Sequence, residues 1–518
     1  MLHFLNQNNI NASGQYSRGD FFKGIPFFIF TLFLIFFGCS HLSASGLTAE
    51  PGPNGKKALL SMVRLDLGGT LKYLQEEKKL NPGSFFCDYV ELKAMSLKLL
   101  INEDHHSVSA WEERVEEFER KLKAKNFTGK NNYIWRAELL LMKAFLNIRR
   151  EKYFVAVKDF NNAYHFYLSG LGRYPENLEL RKGAALVNVL LGVVPENYKW
   201  ALKVLGFDGD LVKGLDGLKS VISLSSDSSE TYLKEEALFL YTTLGLNFGR
   251  KNADLLSIIY ANKAHIEHNP LIRYAFTAAV LKETNAKAAM EIFGPTPPTE
   301  NLPHLLYLKG YLLLLEGDSQ AGIWLKKFLK IHKGKMLVAA SYQKLSWVYY
   351  LNSDLKQASF YKEKILETGL YPTDEDLQAK NAAMHPMPAK CLLRARLDFD
   401  GGFYQKSLKQ LLSCAQGELK NTSEHLEFLY RLGRVQQKLG NAEKALHYFD
   451  LTISRGMKNK DYYAPAAALY AGNMLEELGN INKARDYYKK VFEFKDYPYE
   501  RSLSQKAKAG LSRIKALN

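Results

Sequence analysis

Apolar residues recur along this chain at the spacing of α-helices that each bury one face, in runs separated by short polar or glycine-containing turns. Trp111, Val115, Phe118 and Leu122 fall on one helical face while Glu and Arg fill the other, and Ser109 with Glu112 forms a capping box that would start this helix. The pattern predicts a helix over residues 56 to 83, stopped by Asn81-Pro82-Gly83, a second over Cys87 to Ile101, and a polar turn over residues 102 to 107. Residues 231 to 292 add further helices, the first marked by Asp227 and Glu230. Gly294 to Pro303, GPTPPTENLP, then interrupts the pattern and is expected to be a boundary between domains. Gly369 to Lys390 reads as a longer connection rich in Pro and Asp, and Ser502 to Leu517 as a final, solvating cap helix.

Within this pattern one unit is written twice. Leu432-Gly433, Gly440, Ala445 and Phe449 recur as Ala471-Gly472, Gly479, Ala484 and Tyr488. Each copy has a small residue where two helices cross, a glycine to turn the chain, a second small residue, and an aromatic to fill the gap. This resembles the tetratricopeptide repeat signature. Ala395, Gly402, Ser407 and Leu411 give a third copy, and Ser346, Ser353 and Ala358 another, with Trp347 and Tyr349 inside. Gly310, Gly317 and Gly322 fit the same register. Ala144, Ala156 and Phe160 make a diverged copy in which Glu151 replaces the turn glycine. One hairpin cannot bury its apolar face alone, so the copies must stack. The resemblance implies an all-α fold, a tetratricopeptide-type helical-hairpin solenoid with a right-handed superhelix. The expected layout is a helical region with diverged repeats over 56–293, a Pro-rich linker over 294–303, repeats over 304–500 and a capping helix over 501–518.

The segment from Leu180 to Ile222 is the most individual. Gly183, Leu190-Leu191, Pro195, Leu205-Gly206-Phe207, Gly209-Asp210 and Gly214-Leu215 resemble the central block of the tetratricopeptide repeat protein 39 and inclusion-body-clearance family. Exported bacterial repeat proteins carry a similar block. The resemblance implies a helical repeat protein without known catalytic residues. Asp208 and Asp210 flank Gly209, but calcium needs six or more oxygens, so the loop reads as a structural turn. Tyr198 and Trp200 read as core aromatics rather than an exposed platform.

Ile25 to Phe37, IPFFIFTLFLIFF, follows Arg18 and Lys23 and precedes GCSHLSASG. The run is too short to span a membrane comfortably and resembles a signal-peptide core, with a signal-anchor as the competing reading. Gly38-Cys39 resembles the lipobox of bacterial lipoproteins, whose cysteine is acylated, although Phe36 stands where a leucine is usual. Cleavage among Ser43, Ala44 and Ser45 would instead release a soluble protein. The expectation is a signal peptide over 1–38, a flexible tether over 39–55, and export to a bacterial cell envelope, either lipid-anchored at Cys39 or periplasmic. Export would allow Cys391 and Cys414, at the same open end of one hairpin, to form a disulfide; two buried free thiols are the alternative.

The formal charge is +16, and +15 without residues 1 to 38. The lysines are spread over every helix without a long basic run, so they read as a generally basic solvated surface, and no nucleic-acid partner is expected. No GxSxG, HExxH, CxxC or GxxxxGK[ST] motif is present. His105-His106 beside Asp104 reads as a solvated turn. The sequence therefore points away from an enzyme, with no metal or cofactor, and towards a scaffold whose concave face binds a protein or peptide. Which groove residues bind is not legible by this reading. A surface lipoprotein capturing glycan or another nutrient, similar in architecture to the SusD-like proteins, and a lipid-handling repeat protein are the alternatives.

Overall fold

The structure, a computed structural model, describes residues 52–103, 108–124, 127–149, 152–193, 209–225, 230–248, 253–296, 301–414 and 419–516. Among the described residues there are 24 α-helices and no strand. The protein is an all-α tetratricopeptide-type solenoid, built from antiparallel hairpins that stack side by side.

Its first hairpin is α1 (Pro53–Val63) and α2 (Leu67–Leu80), where a single helix was expected. Leu65 turns the chain with a left-handed φ of 60° while its side chain enters the core, and Asp66 caps α2 by accepting from the Gly69 amide. The amides of Gly52 and Gly55 donate to the buried carboxylate of Glu77 at 3.2 and 3.1 Å. Residues 52 to 55, inside the stretch expected to be tether, are therefore packed with the first hairpin. Next come α3 (Phe85–Asn102) and α4 (Val108–Ala124). Ser109 lies within α4 instead of ahead of it, so it is not the expected cap. The diverged copy forms the hairpin of α5 (Lys130–Arg149) and α6 (Tyr153–Arg173): Ala144 and Ala156 are fully buried, and the ring of Phe160 meets Phe145 at 5.3 Å.

α7 (Leu178–Gly192) and α8 (Leu211–Leu224) pack on their glycines. A Cβ on Gly183 would strike the Tyr167 ring at 2.2 Å, and one on Gly214 would strike Val189 at 2.6 Å. These glycines thus serve close helix contact. Asp210 caps α8 through the amides of Val212 and Lys213. Pro195, Tyr198, Trp200, Leu205, Gly206, Phe207 and Asp208 lie outside the described residues, as do Asp104, His105, His106 and Glu151.

α9 (Thr231–Phe248), α10 (Ala253–Ala261), α11 (Pro270–Glu283) and α12 (Ala286–Phe293) precede the Pro-rich segment, and α13 (His304–Glu316) follows it. The segment interrupts the helices but not the core. One apolar cluster runs from Ala58 through Phe293, Leu302 and Leu305 to Leu397, and Arg273 donates to the carbonyls of Phe293 and Pro295. The expected domain boundary at 294–303 is therefore absent as a break in packing.

The repeats continue with α14 (Ala321–Ile331), α15 (Val338–Leu351), α16 (Leu355–Glu367) and α17 (Asp374–Ala383). α17 occupies what read as a connection. Its Asp376 accepts from the Leu337 and Ala340 amides at 2.8 and 2.9 Å, so an inserted helix caps the start of α15. α18 (Lys390–Asp400) and α19 (Tyr404–Leu412) fold back, the Ala286 amide donating to the Gly401 carbonyl at 2.9 Å. The last hairpins are α20 (Thr422–Lys438) with α21 (Ala442–Gly456) and α22 (Tyr463–Glu477) with α23 (Ile481–Lys490), closed by α24 (Glu500–Ala516).

Candidate functional site: the inner face of the hairpins

In each hairpin the small residue of the first helix faces its own partner helix. A Cβ on Gly310 would stand 2.8 Å from Leu325, and Ser346 donates to the Ala358 carbonyl at 2.7 Å. Gly433 meets the ring of Phe449, as Gly472 meets that of Tyr488. The turn glycines Gly440 and Gly479 adopt φ of 80° and 77°, while Ala445 and Ala484 are fully buried.

One residue further along a helix is rotated by about 100°. The residues following the small ones are Tyr311, Trp347, Arg396 and Arg434, and they leave the hairpin seam for the inner face. Tyr307 and Tyr430, three residues before Gly310 and Gly433, join them. A continuous wall results. The Lys344 ammonium lies 5.2 Å from the ring centre of Tyr307, 4.8 Å from Tyr311 and 5.9 Å from Trp347. Arg396 lies 5.1 Å from the Trp347 ring centre, and Arg434 covers Tyr470 at 3.3 Å. Tyr430 touches Tyr462, Tyr463 and Tyr470, and the Tyr463 hydroxyl donates to Glu427 at 2.9 Å.

Ionisation along this wall is governed by its recessed position. Burial pushes Lys344 down to about 8 and Tyr462 up to about 12. Burial also opposes the charge of Glu427, but its ion pair with Arg431 wins and holds the carboxyl below its ordinary value. Tyr470 is lowered chiefly by the guanidinium of Arg434. Tyr462, Tyr463, Tyr470, Arg396, Arg434 and Lys506 nonetheless stay partly open to solvent. These groups are thus desolvated yet reachable. Lys344 makes no ion pair or side-chain hydrogen bond among the described residues; its ammonium lies against rings, and Glu375 is the foremost of the carboxylates that act on it.

Cys391 and Cys414 are joined as a disulfide with their Cα atoms 5.6 Å apart, tying α18 to the end of α19. Beside it a cavity of about 460 Å³ lies between α13, α15 and α18, lined in part by Gly317, Asn352, Lys390, Cys391 and Arg394. Cys39 lies outside the described residues. The sequence reading missed Lys344, Arg396, Arg434 and the tyrosines, although counting from each small residue would have found most of them.

No family model matches the chain, and no curated protein is significantly similar to it. The expected likeness to the tetratricopeptide repeat protein 39 family thus gains no support. Among solved structures, similarity extends to a Rap protein complexed with Competence and Sporulation Factor, at 12% identity over 88% of this chain and 98% of that one, with a TM-score of 0.29. It extends also to yeast Tom70, at 13% identity over 89% of each chain and a TM-score of 0.24. A third is the Cut9–Hcn1 hetero-tetramer of APC/C, at 12% over 88% and 95%, with a TM-score of 0.28. Likeness of this degree carries no argument about this chain.

Proposed function

We propose that this protein is a non-catalytic scaffold whose inner channel binds a segment of another polypeptide. The observation that carries the reading is the wall formed by Tyr307, Tyr311, Lys344, Trp347, Arg396 and Arg434. Tyr307 and Trp347 also pack in the core, whereas Tyr311, Arg396 and Arg434 remain partly open to solvent. A recessed aromatic surface with unspent donors suits a peptide, whose apolar side chains cover rings while its carbonyls or carboxylates take the donors.

The cell envelope is the proposed location, with Cys39 acylated after removal of residues 1 to 38. The Cys391–Cys414 disulfide supports a compartment outside the reducing cytoplasm. Intact mass of the native protein tests the anchor: a diacyl or triacyl Cys39 N-terminus supports it, and an unmodified chain cut beyond Cys39 sinks it. For the channel, Tyr311 is replaced by a photo-crosslinking amino acid in the full chain. Polypeptide adducts at position 311, absent when the same residue replaces Lys489 and reduced by Lys344→Met, are the expected result. Adducts of glycan or lipid alone would overturn the reading.

A further inference from the structure

α14 carries three lysines and no acid. Residues 319 to 353 contain six lysines and no Asp or Glu. Ile323, Lys326, Lys327, Lys330 and Ile331 are spaced i, i+3, i+4, i+7 and i+8, which places them on one helical face, and all five are exposed. Ala321, Gly322, Leu325 and Phe328 take the opposite face into the core. Lys333 and Lys335, in the turn that follows, extend the charge. None of these five lysines has an ion-pair partner among the described residues: Lys326 donates to the Tyr349 hydroxyl, and Lys327 lies over Trp324 at 4.5 Å. By contrast the neighbouring α16 mixes Lys356, Lys362 and Lys364 with Glu363 and Glu367.

We propose that this face of α14 docks on an anionic lipid surface. Five unneutralised lysines complement a negatively charged bilayer, each contributing attraction near the surface. The apolar members decide between lipid and a soluble polyanion. Ile323 and Ile331 are 52% and 38% exposed within the basic stripe, and Trp324 sits at its edge between Lys309 and Lys327. Aliphatic side chains gain nothing from phosphates in solution. Against a bilayer they enter the headgroup–acyl boundary while the lysine stems lie along it and their ammonium groups reach the phosphates. The contact is separate from any anchor at the N-terminus and from the inner channel.

The test uses the full chain with a photoactivatable phosphatidylglycerol in phosphatidylcholine vesicles, and maps the lipid adducts by peptide mass spectrometry. Adducts within residues 321–335 are expected with the anionic vesicles and not with pure phosphatidylcholine. Two variants separate the contributions: Lys327→Glu/Lys330→Glu/Lys333→Glu, and Ile323→Ser/Ile331→Ser. The first should reduce the α14 adducts roughly ten-fold or more, and raised salt should reduce them in the parent chain. The second should also lower them while leaving the charge intact. Adducts confined to residues 1–51, or α14 adducts indifferent to the lysine variant, would overturn the proposal. So would a face that loses heparin binding in the lysine variant yet shows no effect of the isoleucine variant, since that result assigns it to a soluble polyanion.

Discussion

Gly433 faces the ring of Phe449 so closely across the α20–α21 hairpin that a Cβ at position 433 would stand 2.6 Å from ring carbons. Phe449 is fully buried, and neither helix can withdraw without uncovering it. Gly433→Val should therefore cost about 1–3 kcal/mol by overpacking. Phe449→Ala should cost about 3–5 kcal/mol by leaving a cavity. Urea unfolding of both variants checks the pair. A neutral Gly433→Val would show that the contact yields easily and that glycine at this point is not set by the crossing.

The Cys391–Cys414 disulfide closes a loop of sequence separation 23 and leaves Cys87 as a buried free thiol among the described residues. Its chain-entropy contribution is about 3 kcal/mol. The Cys391→Ala/Cys414→Ala variant should lose about that much stability, and a reductant should destabilise the parent chain but not the variant. Melts with and without reductant measure both. Equal effects of reductant on the two proteins would place the sensitive sulfur elsewhere.

The repeats were legible because packing is local: Gly433, Gly440, Ala445 and Phe449 all act within one hairpin, so their spacing carries the geometry. What was not legible joins distant parts of the chain. The Glu103 carboxylate accepts from the Lys335 and Met336 amides, more than 230 residues away, and Asp376 caps α15 from a helix that looked like a linker. The Pro-rich stretch at 294–303 looked like a boundary because proline ends helices, but ending a helix does not end a core. The channel lay in between. Its residues occupy fixed offsets from the small residues, yet their chemistry depends on the fold, which sets Lys344 among three rings without a direct ion pair.

Acid should weaken the fold through two buried histidines. His304 and His332 meet at 5.0 Å, and burial lowers them to about 3 and about 4. Below the ordinary histidine value near 6.5 the unfolded chain takes up protons that the folded chain refuses, so stability falls as the pH drops from about 6.5 towards 4. Between neutral pH and about 5.5 each histidine should cost roughly 1.4 kcal/mol. His304→Leu should flatten the urea-midpoint profile in this window by about half of the two-histidine effect. An unchanged slope would assign the acid sensitivity to other groups.

Lys344 should be a residue that the fold would be more stable without. It is 5% exposed, and burial lowers it to about 8, so below pH 8 its charge is carried into the folded state at a cost. Between about 8 and its ordinary value near 10.5 the unfolded chain holds the proton that the folded chain has released, and stability rises with pH. The rings of Tyr307, Tyr311 and Trp347 offset part of the cost through cation–π attraction. Lys344→Met, similar in shape and uncharged, should therefore be about 1–3 kcal/mol more stable at pH 7, the gap narrowing towards pH 10.5. The same variant should lose polypeptide cross-linking from position 311. Greater stability with loss of binding is the result expected when a charge is retained for a ligand at the expense of the fold. If Lys344→Met is destabilised at pH 7 and still cross-links, the lysine serves packing, and the binding reading of the channel loses its main support.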